Sequence, residues 1–192
     1  MLFRSASAAN FLASFGWKRG EPWLQEVRVP AKLPWDQADL TIQHPRSQWI
    51  AWGVTSAHGA LPNDNLPASL LLPMGRFGPA FLAYPNFKAF LGWNSAMVYS
   101  TTVAYFATRL DGAPPVGRGS GAVEVLTTQQ MFELQTLLAK QGHDVGKIDG
   151  KLGSATRAAV KKAQMKAGLP ADSYPTTELI DRLRGQTIGS AR

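Results

Sequence analysis

The sequence predicts a mostly α fold with a small β component, an α+β arrangement in two parts. Three observations lead there. Apolar residues recur at helical spacing in several windows, most clearly after Thr127, after Ser154 and after Thr176. Two short apolar runs, 68–72 and 79–84, bracket the turn-forming Pro73-Met74-Gly75-Arg76-Phe77-Gly78. Glycine and proline crowd into 112–121, where they mark a break between two bodies of chain. The predicted boundaries are 1–110 for the first part, 111–125 for a linker and 126–187 for the second part.

Taken in order, Ala8, Phe11, Leu12 and Phe15 form one face of a helix that Gly16 ends. Five residues precede it and nothing in them covers that face, so the expectation is that the chain begins inside a domain and is a fragment, with Phe11, Leu12 and Phe15 facing water. A turn-rich aromatic loop, Trp17 to Trp23, leads into a strand at 24–29, where Val27 and Val29 alternate with Glu26 and Arg28. Pro45 to Gly53 reads as one or two helical turns with a proline start and a glycine stop. Its Trp49 and Trp52 lie three apart and can share a face; core packing is the default role, with sugar stacking the alternative. The apolar runs at 68–72 and 79–84 follow as a hairpin, then a brief helix over 88–91 that Gly92 breaks. Asn94 is placed to cap the next helix, 95–110, which is apolar on most sides and is expected to be buried.

The second part opens with Thr127 and Gln130 at capping-box spacing, and Met131, Leu134 and Leu138 on one stripe. That helix stops at Gly142. In the turn that follows, Val145 and Ile148 are expected to point inward while Gly146 and Gly150 supply the turn geometry. Ser154 is the expected cap of the second helix. A third begins near Thr176 and Thr177, carries Leu179, Ile180 and Leu183 inward, and ends at Gly185. Glu178 early and Arg182 and Arg184 late suit its dipole.

Composition removes several classes of function. A hydrophobic share of 45% argues against disorder. The absence of cysteine rules out disulfides, thiolate nucleophiles and thiolate metal sites. His44, His58 and His143 have no second histidine one helical turn away, so a metal site is not expected, and no phosphate-cradling or dinucleotide motif implies a cofactor. No apolar run is long enough to cross a bilayer, and the first residues lack the form of a secretion signal. The net charge of +7 fits a polyanionic partner, or a solvated basic face at Lys161, Lys162 and Lys166. Nucleic acid is the weaker partner, because the aromatics are not interleaved with basic residues.

Residues 126–185 resemble the three-helix peptidoglycan-binding domain of bacterial cell-wall enzymes, on Leu137-Leu138, Gly142, Ile148-Asp149-Gly150, Gly153, Thr156, Ala159 and Gln164. Ala163 stands where that family usually has an aromatic. Residues 6–110 resemble the carboxy-terminal part of the catalytic domain of lytic murein transglycosylases of the membrane-bound B type. This second likeness rests on Ala8 to Leu12, Gly16 to Trp23, Tyr84-Pro85-Asn86-Phe87, and Trp93-Asn94 with Tyr99, with Ala96 replacing the family's serine. The resemblance implies part of a lysozyme-like lobe followed by a murein-binding module. It also implies a parent enzyme of the periplasm or cell envelope that cleaves the glycan without water, leaving 1,6-anhydro ends.

Such an enzyme needs a glutamic acid held protonated by an apolar setting, first as acid on the glycosidic oxygen and then as base on the 6-hydroxyl. The family's glutamate segment does not appear in this sequence, so no catalytic residue is assigned and the chain as given is expected not to cleave glycan. Glu21, Glu26, Asp36, Asp39 and Asp64 read instead as solvated surface. The resemblance leaves Trp93, Asn94, Tyr99 and Tyr84 as substrate-binding candidates, and Asp149, Gly150, Gly153 and Thr156 as those of the binding module. Helix capping by Asn94, core packing by Tyr99 and a backbone bond by Asp149 are the competing structural roles. The partners implied are peptidoglycan glycan strands and stem peptides. The rival reading is a non-enzymatic wall-binding protein with the first part as scaffold.

Overall fold

A computed structural model of the protein describes residues 2–189. Among them are seven α-helices and one five-stranded antiparallel sheet of order β2-β4-β5-β1-β3. The first part contains α1 (Leu2–Ser14), β1 (Leu24–Arg28), a single 3-10 turn (Trp35–Gln37), β2 (His44–Pro45), α2 (Arg46–Ala51), β3 (Thr55–Ser56), β4 (Pro67–Leu71), β5 (Ala80–Ala83), α3 (Phe87–Trp93) and α4 (Met97–Leu110). The second part contains α5 (Thr128–Lys140), α6 (Ser154–Lys166) and α7 (Thr177–Gly189).

The hairpin expected at 68–84 is present, with Leu70 opposite Leu82 and Leu71 opposite Phe81. Its strands are apolar without alternation because both faces of the sheet are covered. Leu70 and Leu82 turn to one core with Val27, Trp49, Val54 and Tyr84, whereas Leu71 and Phe81 turn to another with Leu24, Phe87 and Ala104. Trp49 is fully buried and donates its indole N–H to the Ala68 carbonyl at 2.9 Å, so core packing is indeed its role. Asn86, also buried, holds the aromatic loop: its side chain accepts from Lys18 N and donates to the carbonyls of Lys18 and Glu21, each at 2.8 Å.

Several expectations fail for identifiable reasons. Phe11 and Leu12 do not face water freely, since Phe11 packs edge-on against Trp93 at 5.0 Å. Gly92 does not break α3; it lies inside the helix, where an added Cβ would meet the Phe15 ring at 2.2 Å. That glycine makes room for α1. Asn94 does not cap α4, which starts at Met97 with Ala96 in the cap position; the Asn94 amide oxygen accepts from Ala96 N at 2.8 Å. Nor is α4 buried: Val98, Phe106 and Leu110 are exposed, and only the Ser100, Thr101 and Ala104 side of the helix is covered.

The second part packs Met131, Leu134, Leu138, Val145, Val160, Leu179, Ile180 and Leu183 into its own core. Thr127 and Gln130 form the reciprocal capping box. Gly153, not Ser154, caps α6, and α7 continues through Gly185 instead of ending there. Val145 turns inward, but Ile148 stays exposed. The turn is ordered from the opposite side, by Gln135. This fully buried amide accepts from the backbone of Asp149 and Gly150 and donates to the carbonyls of Lys147 and Lys151 and to the Thr156 hydroxyl.

The two parts are docked on each other. Asp172, only 4% exposed, accepts from Arg76 N at 3.0 Å with one oxygen, and from Gln164 Nε2 and Tyr174 N with the other. Arg157 donates to the Pro73 carbonyl at 2.6 Å, and Lys161 pairs with Asp39 at 2.9 Å. Lys161 is therefore not part of a solvated basic face, although Lys162 and Lys166 are exposed. Burial pushes the Arg157 pKa down to about 10, with Tyr174 and Asp172 acting to restore it, so the group remains a cation at neutral pH. The Gly/Pro-rich segment is a strap and not a free tether: Ser120 N and Gly121 N donate to the Phe77 carbonyl, and Gly117 N to Glu26.

Candidate functional site

The site candidates of the first part collect where α1, α3 and the start of α4 meet. Trp93, Phe11, Leu12, Phe90, Tyr99 and Val103 line an open apolar groove of about 300 Å3. Trp93 is 63% exposed and Tyr99 45%, so both present ring surface to solvent, and core packing is not the role of Tyr99. Asn94 lies between them in sequence. Its amide oxygen bonds Ala96 N, which leaves the two amide N–H groups as donors. The main chain around it is held by Ser100, whose hydroxyl approaches the carbonyls of Phe90 and Asn94 at 3.1 and 2.5 Å. Two exposed aromatic rings suit the apolar faces of sugar rings, and an amide with free N–H groups suits an N-acetyl carbonyl.

Tyr84 does not belong to this ledge. It is 1% exposed, its hydroxyl donates to Gln25 Oε1 at 2.6 Å, and the Arg46 guanidinium lies 5.5 Å from its ring. Burial raises its pKa against the opposing influence of Arg46. No face is left for a sugar, because the sheet brings Tyr84 against β1 and α2.

The four candidates of the second part prove to be turn builders. Thr156 is buried and donates to the Val145 carbonyl, Gly150 has φ +71° with an N–H held by Gln135, and Gly153 caps α6. Asp149 accepts from Lys151 N at 3.0 Å, the local backbone bond expected of an Asp before Gly. Gln135 bonds three of them, Asp149, Gly150 and Thr156, and sequence reasoning passed over it. A glutamine on the inward side of a helix, one position after Leu134, was the available signal.

Of the carboxylates expected to be solvated, Asp64 is exposed, whereas Glu21, Glu26, Asp36 and Asp39 are half-buried. Asp64 pairs with Arg46 through both oxygens, and Asp39 with Lys161. Glu21 lies 3.5 Å from Lys18. Glu26, on β1, has a side chain only 15% exposed; Gly117 N donates to one oxygen at 2.8 Å, and His58 Nε2 lies 3.3 Å from the other. Both oxygens thus face donors. A general acid instead needs an apolar setting and a proton aimed at the glycosidic oxygen, so Glu26 does not fit that role. Among the described residues no cluster of three His, Asp or Glu side chains suits a metal ion, and no helix is long and apolar enough to cross a membrane.

An α+β lobe with an exposed aromatic ledge, carrying a small three-helix body, defines the class: a lysozyme-like transglycosylase lobe joined to a peptidoglycan-binding domain. Residues 5–108 match the transglycosylase SLT domain and residues 127–183 the putative peptidoglycan binding domain. The chain belongs to the transglycosylase SLT domain family. Among solved structures, it is similar to SltB3 from Pseudomonas aeruginosa in complex with NAG-anhNAM-pentapeptide, at 42% identity and a TM-score of 0.74 over 92% of this chain. The same protein in complex with NAG-NAM-pentapeptide matches equally, at 42% identity and a TM-score of 0.74 over 91% of this chain. In both comparisons the chain spans 48% of the length of the relative. A comparison with curated proteins gave no match.

Proposed function

We propose that this chain is the carboxy-terminal part of a lytic murein transglycosylase of the membrane-bound B type. The parent would cleave the MurNAc-GlcNAc bond of peptidoglycan to 1,6-anhydroMurNAc ends, in the periplasm or cell envelope. On this reading, 1–110 is a remnant of the sugar-cleaving lobe, 111–125 the linker and 126–187 the murein-binding module. The observation that carries it is the pair of exposed aromatics Trp93 and Tyr99 lining an apolar groove, with half-buried Asn94 next to Trp93 in the chain. The outward apolar row Val98, Phe106 and Leu110 supports it further, since the preceding half of a longer lobe would cover such a face.

In the parent, a glutamic acid outside these residues would protonate the glycosidic oxygen and then accept the proton of the 6-hydroxyl, which closes the anhydro ring without water. Trp93 and Tyr99 would hold the sugar rings and Asn94 the acetamido group. The module would keep the groove beside its polymer, which raises the local concentration of glycan without adding a contact at the cleaved bond. Because the module is docked, that help comes at a fixed geometry.

The test is a sedimentation assay with purified insoluble sacculi, followed by analysis of released products. The chain is expected to sediment with sacculi and to release no anhydro-muropeptides, whereas a polypeptide extended upstream releases them. Failure to sediment refutes murein binding, and release by this chain alone refutes the assignment of the acid elsewhere. The rival, a non-enzymatic wall-binding protein, is favoured by the donor-paired state of Asp39, Asp64 and Glu26. It predicts that the extended polypeptide is inactive as well.

A further inference from the structure

A second cleft, of about 310 Å3, lies between β1, the end of α4 and the start of the strap. It shares no lining residue with the groove beside Trp93. Its volume stands at the lower end of the ~300–1,000 Å3 typical of small-molecule sites. Trp23 and Tyr105 supply aromatic surface, Gln25 and Thr108 neutral polar groups, and Glu26 and Asp111 carboxylates. The lining contains neither Lys nor Arg, in a chain whose net charge is +7. The one histidine of the lining, His58, is turned to Glu26 at 3.3 Å, so anions find no fixed, unpaired counter-charge there.

The polar groups are held by bonds to the rest of the fold, and each keeps unused hydrogen-bonding capacity. Gln25 receives the Tyr84 hydroxyl on its oxygen at 2.6 Å, and its nitrogen approaches Ser56 Oγ at 3.4 Å, which leaves an amide N–H to spare. Glu26 is held by Gly117 N and His58, two of the roughly four acceptor positions a carboxylate has. The Tyr105 hydroxyl accepts from Val116 N at 3.0 Å and retains its own hydrogen to donate. The Trp23 indole N–H is committed to the Ala104 carbonyl at 3.1 Å, which sets the ring's orientation. A site whose groups are ordered before binding loses little freedom when a ligand enters.

We propose that this cleft is a second carbohydrate site, taking a neutral N-acetylated hexosamine unit. The sugar's C–H face would rest on Trp23 and Tyr105, its hydroxyls would donate to Glu26 and Asp111, and its acetamido carbonyl would accept from Gln25. The proposal rests on the reading that the chain meets peptidoglycan glycan. Tyr84, which the sequence offered as a sugar contact, becomes a positioning residue one bond behind Gln25.

The test is an NMR titration of the isotope-labelled full chain with tri-N-acetylchitotriose, beside the sacculi assay. Saturable shifts are expected at the Gln25 side-chain amide, Thr108 and Asp111. Gln25→Leu and Asp111→Asn should each weaken binding there at least tenfold while the response of Trp93 to Tyr99 is unchanged. Asp111 is exposed at a helix end, so that variant keeps the fold even where Gln25→Leu does not. Tyr84→Phe should weaken the cleft response several-fold with native spectral dispersion retained. Shifts confined to Trp93, Asn94 and Tyr99 overturn the second site and leave the proposed function standing. No shift anywhere together with no sedimentation overturns both. Saturation of the cleft by lysine amide but not by the trisaccharide overturns the sugar assignment in favour of an ammonium ligand.

Discussion

Replacing Asp172 by alanine tests whether the two parts form one body. The carboxylate is 4% exposed and accepts four contacts: Arg76 N at 3.0 Å and Arg76 Nη1 at 3.5 Å from the first part, Gln164 Nε2 at 2.9 Å and Tyr174 N at 3.1 Å from its own. A hydrogen bond to a charged group is worth about 1.5–3 kcal/mol net. The Arg76 side chain, at the distance limit and partly solvated, adds about 0.5–1 kcal/mol. Coupling across the junction is then about 2–4 kcal/mol, and the full loss about 3–5 kcal/mol, as for breaking a buried charge pair. Thermal unfolding of the whole chain should split into two transitions, and residues 112–121 should become sensitive to protease. A double-mutant cycle with Arg76→Ala isolates the junction from the interior of the module. A single unshifted transition with an unchanged cleavage rate would refute the account of docking.

Four further outcomes follow from the same geometry. Gln135→Ala removes five hydrogen bonds around the 145–151 turn and should cost at least ~3 kcal/mol, with hydrogen exchange at Asp149 and Gly150 rising well before global unfolding. Gly92→Ala sets a Cβ at 2.2 Å from the Phe15 ring and should displace α1 at about 1–3 kcal/mol, seen as a change in Trp93 fluorescence and a lowered Tm. Asn94→Ala, made in the longer enzyme proposed above, should lower glycan affinity as well as stability; loss of stability alone assigns Asn94 to the turn. For Asp39, burial acts to raise the pKa, but the bonds from Lys161 and Thr41 outweigh it and the net shift is downward from 3.8. The folded value lies below the unfolded one, so the pair's contribution is present above about pH 4 and fades as pH falls through the folded value. Lys161→Met should flatten that acid limb of the stability profile.

Local chemistry determined much of the fold. The period of Met131, Leu134 and Leu138, the Thr127 capping box and the glycines at 142, 146 and 150 specify helix, stop and turn from neighbouring residues alone. The hairpin at 68–84 was equally legible, because its apolar runs and its turn are contiguous. Helix ends were less so: Asn94 and Gly92 each have the right type for a boundary, but the Phe15 ring, brought in by tertiary contact, and the Ala96 amide, two residues along the chain, decide their roles.

By itself the sequence determined the type of each long element and the family. Only the tertiary structure decided which polar and aromatic side chains are free to meet a ligand. Tyr84 and Tyr99 look alike in sequence, yet one lies inside the sheet packing and the other on an open rim. Lys161 and Asp39 are 122 residues apart and satisfy each other, and Glu26 is shielded by a glycine 91 residues away. The physical reason is that helix period and capping are interactions over three or four residues, whereas solvent exposure is set by whatever distant chain arrives to displace water.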